Sequence, residues 1–441
     1  MEFGLGVFPP VVHYALALSV ALWLLSLIQI GAVIVYSRRL SGYRLPPISD
    51  DELPETLVIL CLRGGDDQLP HCLDKLARQD YPRYRLQLVI DHSTDPVFDV
   101  VNRWLATAPP VKVQVDVLRE RLPNSTLKCS AVRQVLRKLD PRFQAVVLVD
   151  ADADPYKHWL RDLVAPLLQA GVGAVTGNRW YFPANGSLGG WCRFVYNGLA
   201  MAPMQWFGLI WAGSLAMRRE VAEDDTCLQA LAASSSDESA IRNSVRNLGL
   251  QVHFSSRAIL WNPESTSVSD CFQFIFRQLL WTRLYHSSWR ILFGHAVVSY
   301  LLLATTFFVG VVNLGQGRPI AAAWMAFGSL AIYAASVVFS LAFLHRTIRR
   351  NILPRQGSNN TMSPLSLGAL ARIVGSLPII LAVYTLASVW AQFARTVVWR
   401  GVKYRVVPPN GLQIIQYRPF GAAEREAIPY GRGTVDSLRK A

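Results

Sequence analysis

Apolar positions in this chain are distributed in two ways. Four long, nearly unbroken runs (11–36, 297–314, 320–344 and 365–394) flank a central stretch where apolar residues come in short bursts between polar turns. A bilayer core is crossed by about 20 consecutive apolar residues in a helix, so the run at 11–36 and the pair within 297–344 predict transmembrane helices. The first run lacks a basic start and a small-residue cleavage site, which argues against a removable signal peptide. Arg38, Arg39 and Arg44 follow it directly. Basic loops stay in the cytosol, so the chain's start is expected outside and the next segment inside.

The region 49–263 reads as a separate α/β domain. Short apolar bursts at 57–60, 86–90 and 145–149 predict strands, and helix-periodic stretches lie between them at 71–79 and 127–138. Such alternation predicts a mostly parallel, Rossmann-like sheet. Ligands of these sheets sit beyond the carboxyl ends of the strands. After this domain, 271–293 interleaves Trp, Tyr and Arg with apolar residues, the composition of an amphipathic helix at headgroup level. A basic link (His345, Arg346, Arg349, Arg350, Arg355) follows the paired spans. The last run is ambiguous. A single crossing at 365–394 would export the basic tail 395–441, with Arg395, Arg400, Lys403 and Arg405. A re-entrant or interfacial segment would keep that tail inside, and Arg372 within the run suits it.

Composition sharpens this picture in two places. The chain is 51% hydrophobic and 17% charged, too apolar for an ordinary soluble protein. Its formal charge of +14 suits anionic lipid, phosphorylated substrates or nucleic acid. The spans favour lipid, and no nucleic-acid-binding signature is present. The six cysteines show neither paired nor zinc-type spacing, as expected of small buried hydrophobes.

Chemistry gathers at the strand ends. The first strand runs into Arg63-Gly-Gly-Asp66-Asp67, the second into Asp91-His-Ser-Thr-Asp95, and the third into Asp150-Ala-Asp152-Ala-Asp154. Asp150 and Asp152 could hold Mg²⁺ or Mn²⁺ together with diphosphate oxygens, since these hard cations prefer oxygen ligands. The competing reading is an acidic turn that caps a helix near Tyr156. Asp237 and Glu238 precede another helical stretch. They are either a favourable charge at a helix N-terminus or a general base for an acceptor hydroxyl. Arg277 and Trp281 lie within the amphipathic stretch, where the Arg could bind a diphosphate and the Trp could pack beneath an acceptor.

Several blocks in order carry a resemblance: LRGGDDQL at 62–69, QDYPRYRLQLVIDHSTDP at 79–96, GVGAVTG at 171–177, AGSLAMRRE at 212–220 and VVWRGVKYRV at 397–406. Together they resemble inverting family 2-type glycosyltransferases, most of all the ceramide glucosyltransferase group. The resemblance implies a GT-A fold, a nucleotide-sugar donor such as UDP-glucose, a divalent metal and a membrane lipid acceptor. It implies that Asp91 contacts the nucleotide base, that Lys128 lies near the donor, and that Asp150 and Asp152 bind donor and metal. Arg277 and Trp281 match the outer positions of the (Q/R)-x-x-R-W motif, which also expects an Arg where this chain has Leu280. Arg283 lies one helical turn further on. Spacing to Gly249 places Glu238 on the family's catalytic base, with Asp237 as the alternative after a one-residue shift. Two rival readings stand beside this one: a processive polysaccharide synthase, and a non-catalytic membrane relative.

Overall fold

The computed structural model describes residues 10–42, 48–65, 67–183, 186–263, 265–315, 320–356, 362–407, 411–421 and 428–429. Asp66 and Arg44, named above, lie outside the described residues, as do the Arg355 side chain and most of the chain after 421. Helix α1 (Pro10–Gly42) leads into strand β1 (Thr56–Leu62), α2 (Leu69–Ala77), β2 (Tyr84–Ile90), α3 (Val97–Leu105) and β3 (Lys112–Val117). Then follow α4 (Leu127–Leu136), β4 (Ala145–Val149), α5 (Trp159–Val164), β5 (Val172–Phe182), α6 (Leu188–Phe207) and β6 (Ser214–Arg218). Three helices, α7 (Arg219–Glu223), α8 (Asp225–Ala233) and α9 (Asp237–Asn247), precede β7 (Gln251–Pro263).

These strands form one seven-stranded sheet in the order β3-β2-β1-β4-β6-β5-β7. All pairings are parallel except those of β6, which runs antiparallel to β4 and β5. Alternation along β1 sends Val58, Leu60 and Leu62 into one core and Leu57 and Ile59 into the other, the period of two expected of a strand covered on both faces. This is the mostly parallel α/β architecture expected from the sequence. Gly177 sits where a Cβ would fall 2.4 Å from the Ala258 carbonyl, so the β5–β7 contact there admits only glycine.

The remaining helices are α10 (Val268–Tyr285), α11 (Trp289–Gly315), α12 (Ile320–Thr347) and α13 (Leu367–Phe393). Helices α1, α11, α12 and α13 are each long and apolar enough to cross a membrane. The boundary expected near 293–297 shifts: the chain breaks at His286–Ser288, and Trp289 already opens α11. Helix α1 packs on α12 through small residues. Ser19 Oγ lies 3.4 Å from the Met325 carbonyl, and Gln29 Nε2 lies 3.4 Å from Ser340 Oγ. Small side chains let helix backbones approach where lipid offers no hydrophobic drive to association. Helix α10 buries Cys271, Ile275, Leu279, Leu280 and Leu284, and it packs on α6 and α13.

The basic tail contains more structure than its composition suggested. Strands β8 (Thr396–Trp399), β9 (Val402–Val407), β10 (Gly411–Tyr417) and β11 (Ile428–Pro429) form a second, antiparallel sheet. It buries Val397, Tyr404, Leu412, Ile414 and Tyr417 against the α/β domain. Ile414 N donates to the Pro123 carbonyl at 2.8 Å, and the Phe420 ring lies where a Cβ on Gly64 would be. Gly64 also has φ +73°, so both backbone and space demand glycine at that turn.

Candidate active site

Helix α4 starts at a Thr126 cap whose side chain accepts from Cys129 N, and this places Lys128 in its first turn. The Lys128 ammonium sits 3.1 Å from Asp150 Oδ1 and 3.1 Å from Asp237 Oδ2. It therefore joins the end of β4 to the start of α9. Burial opposes its charge, but Asp150 and Asp237 prevail and hold the ammonium well above its ordinary pKa. Gly213 makes room for this carboxylate: a Cβ there would fall 2.1 Å from Asp150 Oδ2.

The structure separates these carboxylates from capping. The cap of α9 is Ser236, which accepts from Ser239 N at 3.1 Å, while Asp237 and Glu238 lie in the first turn, where the helix dipole favours their charge. Likewise α5 begins at Trp159 with no side-chain cap, so Asp150 and Asp152 do not serve as one. Glu238 Oε2 accepts from Ser236 Oγ at 2.9 Å, and Oε1 lies 3.4 Å from Ala212 N. Burial, then the adjacent Asp237, push the Glu238 carboxyl up to about 8.

Asp152 is gripped by an arginine that the sequence had not singled out. Arg179 Nη1 and Nη2 donate to its two oxygens at 3.0 Å each, and Nη2 also lies 3.7 Å from Asp150 Oδ2. Burial works against the Asp152 charge, but Arg179 outweighs it and draws the carboxyl down to about 2. Arg179 stands over the Trp211 ring at 4.7 Å, and its Nη1 lies 3.2 Å from the Tyr181 hydroxyl. It sits inside strand β5, so no turn or strand-end signal marks it.

Asp91, at the end of β2, has a different setting. Arg121 Nε donates to Oδ1 at 3.2 Å, while Oδ2 accepts from Arg63 and from the Tyr417 hydroxyl at 3.1 Å. Tyr417 lies between the two guanidiniums, 5.4 Å and 4.6 Å from its ring centre. Arg63 and Arg121 follow β1 and β3, so the strand-end rule points to them as well. Tyr417 comes from the second sheet and carries no local signal.

Arg277 and Trp281 reach the same cavity from α10. Burial, then Arg193 and Arg400, hold the Arg277 guanidinium below its ordinary value, a setting short of negative charge. The Trp281 and Trp399 rings meet edge to face at 6.4 Å. Leu280 is fully buried in the core. Arg283 does not stand in for the missing motif arginine: its Nη1 donates to the carbonyls of Ala391 and Ala394 at the end of α13.

All the other candidates line one cavity of about 760 Å³: Asp91, Lys128, Asp150, Asp152, Asp237, Glu238, Arg277 and Trp281. It continues between the apolar helices, past Ile28 of α1, Tyr333 of α12, Leu292 of α11, and Ile380 and Tyr384 of α13. The two D-x-D carboxylates offer hard oxygen donors to this cavity. That set fits Mg²⁺ or Mn²⁺ if diphosphate and water complete the shell. No group of three Asp, Glu, His or Cys side chains suited to a metal occurs among the described residues.

Comparison with known proteins places the chain. A ceramide glucosyltransferase of Candida albicans is 30% identical over 101 residues, 22% of this chain and 18% of that protein. The human inactive glycosyltransferase 25 family member 3 is 34% identical over 61 residues, 13% of this chain and 10% of that one. The matched segments thus span less than a fifth of these curated relatives. Among solved structures, a Pyrobaculum calidifontis mannosyltransferase in complex with GDP-Man and Mn²⁺ is 19% identical, with 86% of this chain and 98% of that one covered at a TM-score of 0.47. A Mycobacterium tuberculosis glucosyl-3-phosphoglycerate synthase with Mn²⁺, UDP and phosphoglyceric acid is 17% identical, with 54% of this chain and 84% of that one covered at 0.36. The glycosyl transferase family 21 model matches residues 21–411, which is most of the sequence, and the chain belongs to that family.

Proposed function

We propose that this protein transfers a hexose, with inversion, from a nucleotide sugar to a hydroxyl of a membrane lipid at the cytosolic face. The observation that carries this reading is the single cavity. One end holds Lys128, Asp150, Asp152, Asp237 and Glu238, and the other is walled by α1, α11, α12 and α13. A polar donor suits the first end and an alkyl chain suits the second. Family membership and the Candida relative's name favour UDP-glucose as donor and ceramide or a diacylglycerol as acceptor.

In this reading the nucleotide lies between Asp91 and the D-x-D pair, and its diphosphate faces Lys128 and Arg277. The acceptor hydroxyl approaches the anomeric carbon from the opposite side. Glu238 takes its proton as the new carbon–oxygen bond forms and the bond to diphosphate breaks. A carboxyl titrating near 8 is basic enough for this at neutral to mildly alkaline pH. Asp237, paired with Lys128, orients that end of α9 and raises the basicity of its neighbour. Asp150 and Asp152 would hold a Mg²⁺ or Mn²⁺, which supplies Lewis-acid stabilisation of the departing diphosphate. Arg277 adds fixed positive charge where negative charge develops.

The proposed topology follows from contacts at the helix ends. After α12, Gln356 Nε2 donates to the Arg257 and Ile259 carbonyls of β7, so α12 returns to the catalytic domain. Near the start of α13, the Arg372 guanidinium packs over Gly186, and its end leads into β8 of the second sheet. With both ends against the catalytic domain, α13 lies in the interface and the basic tail stays cytosolic.

The test is transfer from radiolabelled UDP-glucose to extracted membrane lipids, comparing wild type with Asp150→Ala and Glu238→Gln. A labelled lipid that disappears in both variants supports the reading, and its mass names the acceptor. Label transferred equally by all three proteins, or by none with any nucleotide sugar, rejects it.

A further inference from the structure

Two carboxylates that face a donor cavity should attract a divalent ion by themselves. Here both already pair with cations of the protein itself. Arg179 donates to both oxygens of Asp152 at 3.0 Å and approaches Asp150 at 3.7 Å, while Lys128 pairs with the other Asp150 oxygen at 3.1 Å. The arginine is not a flexible surface partner. Its side chain is 5% exposed, over the Trp211 ring and beside the Tyr181 hydroxyl. A bidentate guanidinium–carboxylate pair in such a cage is strong and geometrically specific.

We propose that Arg179 is a resident cation on the D-x-D pair, which makes divalent-ion binding conditional on the donor diphosphate. The inference rests on the glycosyltransferase reading of this site. With Arg179 on Asp152 and Lys128 shared between Asp150 and Asp237, an incoming divalent ion must compete with two resident cations for the same oxygens. It must also sit close to a guanidinium that repels it in a partly desolvated pocket. The diphosphate changes that balance. Its oxygens complete the metal's shell and supply negative charge that the metal, Arg179 and Lys128 then share. Binding is ordered, nucleotide first or together with the metal.

The test reads metal binding directly in the detergent-purified full-length protein, by the loss of the free Mn²⁺ electron paramagnetic resonance signal on titration. Wild type is expected to retain Mn²⁺ only when UDP is present. Arg179→Gln is expected to bind Mn²⁺ without UDP at least tenfold more tightly than wild type. Arg179→Lys, which keeps the charge but not the paired donors, should still require UDP and guards against a folding artefact. Wild type that takes up Mn²⁺ alone as tightly as with UDP overturns the resident cation and leaves the transferase reading intact. Arg179→Gln that still requires UDP overturns it too. Wild type that binds no Mn²⁺ even with UDP or GDP removes the metal from the proposed mechanism, and this inference with it.

Discussion

Asp91 and Asp150 stand at the ends of β2 and β4, on either side of the same central strand, yet the structure treats them oppositely. Asp91 is 4% exposed and receives two guanidiniums and a hydroxyl. Around Asp150 the setting differs. Lys128 and Arg179 serve Asp150, Asp152 and Asp237, and burial together with the adjacent Asp237 keeps the Glu238 proton up to about pH 8. Both oxygens of Asp91 are held by donors of the protein, which joins the second sheet to the first beside the proposed nucleotide site. A cluster short of cations is poised to gain or lose a proton or to accept a ligand's charge. Sequence position does not distinguish the two, but their neighbours in the fold do.

The largest effect that would test this contrast is on turnover. Glu238→Gln should lower kcat by about 10²- to 10⁴-fold, the usual scale for a general base, while the protein stays folded. Near-normal turnover would move the base to Asp237. Next comes stability at Asp91. Asp91→Ala leaves Arg63 and Arg121 buried without their carboxylate and should cost about 3–5 kcal/mol, read by denaturant unfolding. Tyr417→Phe removes one hydrogen bond to that carboxylate and should cost less, about 1.5–3 kcal/mol. If neither substitution lowers stability, the second sheet is held by its apolar contacts alone.

The pH dependences sharpen the other side. Wild-type kcat/KM should rise with pH and level off above about 8, as Glu238 loses its proton. Lys128 lowers the Glu238 pKa, so Lys128→Met should move that limb upward as well as reduce the rate. A limb that stays in place would exclude Lys128 from tuning the base. Stability should show a smaller linked effect. Between about 4.5 and about 8 the folded protein keeps the Glu238 proton that the unfolded chain releases. Unfolding is then favoured as pH rises through that window, and Glu238→Gln should flatten this slope in a series of thermal melts.

Much of the frame was legible in the sequence because its signals are local. A run of apolar residues long enough for a bilayer, a five-residue burst such as Ala145–Val149, and the turn chemistry after it depend only on near neighbours. So Asp150, Asp152, Asp91 and Lys128 could be named from strand ends and block order. Arg63 and Arg121 obey the same rule and were within its reach. The helix α13 was readable as apolar, but composition alone does not separate a crossing from an interfacial arrangement.

What the sequence by itself determined is the list of elements: three unambiguous apolar spans, an α/β domain with acidic strand ends, and a basic, aromatic stretch after it. Those follow from periodicity and from the length of chain needed to cross a bilayer or a sheet. Only the tertiary structure decided the partners. Arg179 reaches Asp152 from another strand, Tyr417 reaches Asp91 from 326 residues away, and Arg283 turns from the site to the end of α13. Charge balance is a property of such distant neighbours in a desolvated space, so the same Asp becomes an anchor or a reactive site according to what folding brings beside it.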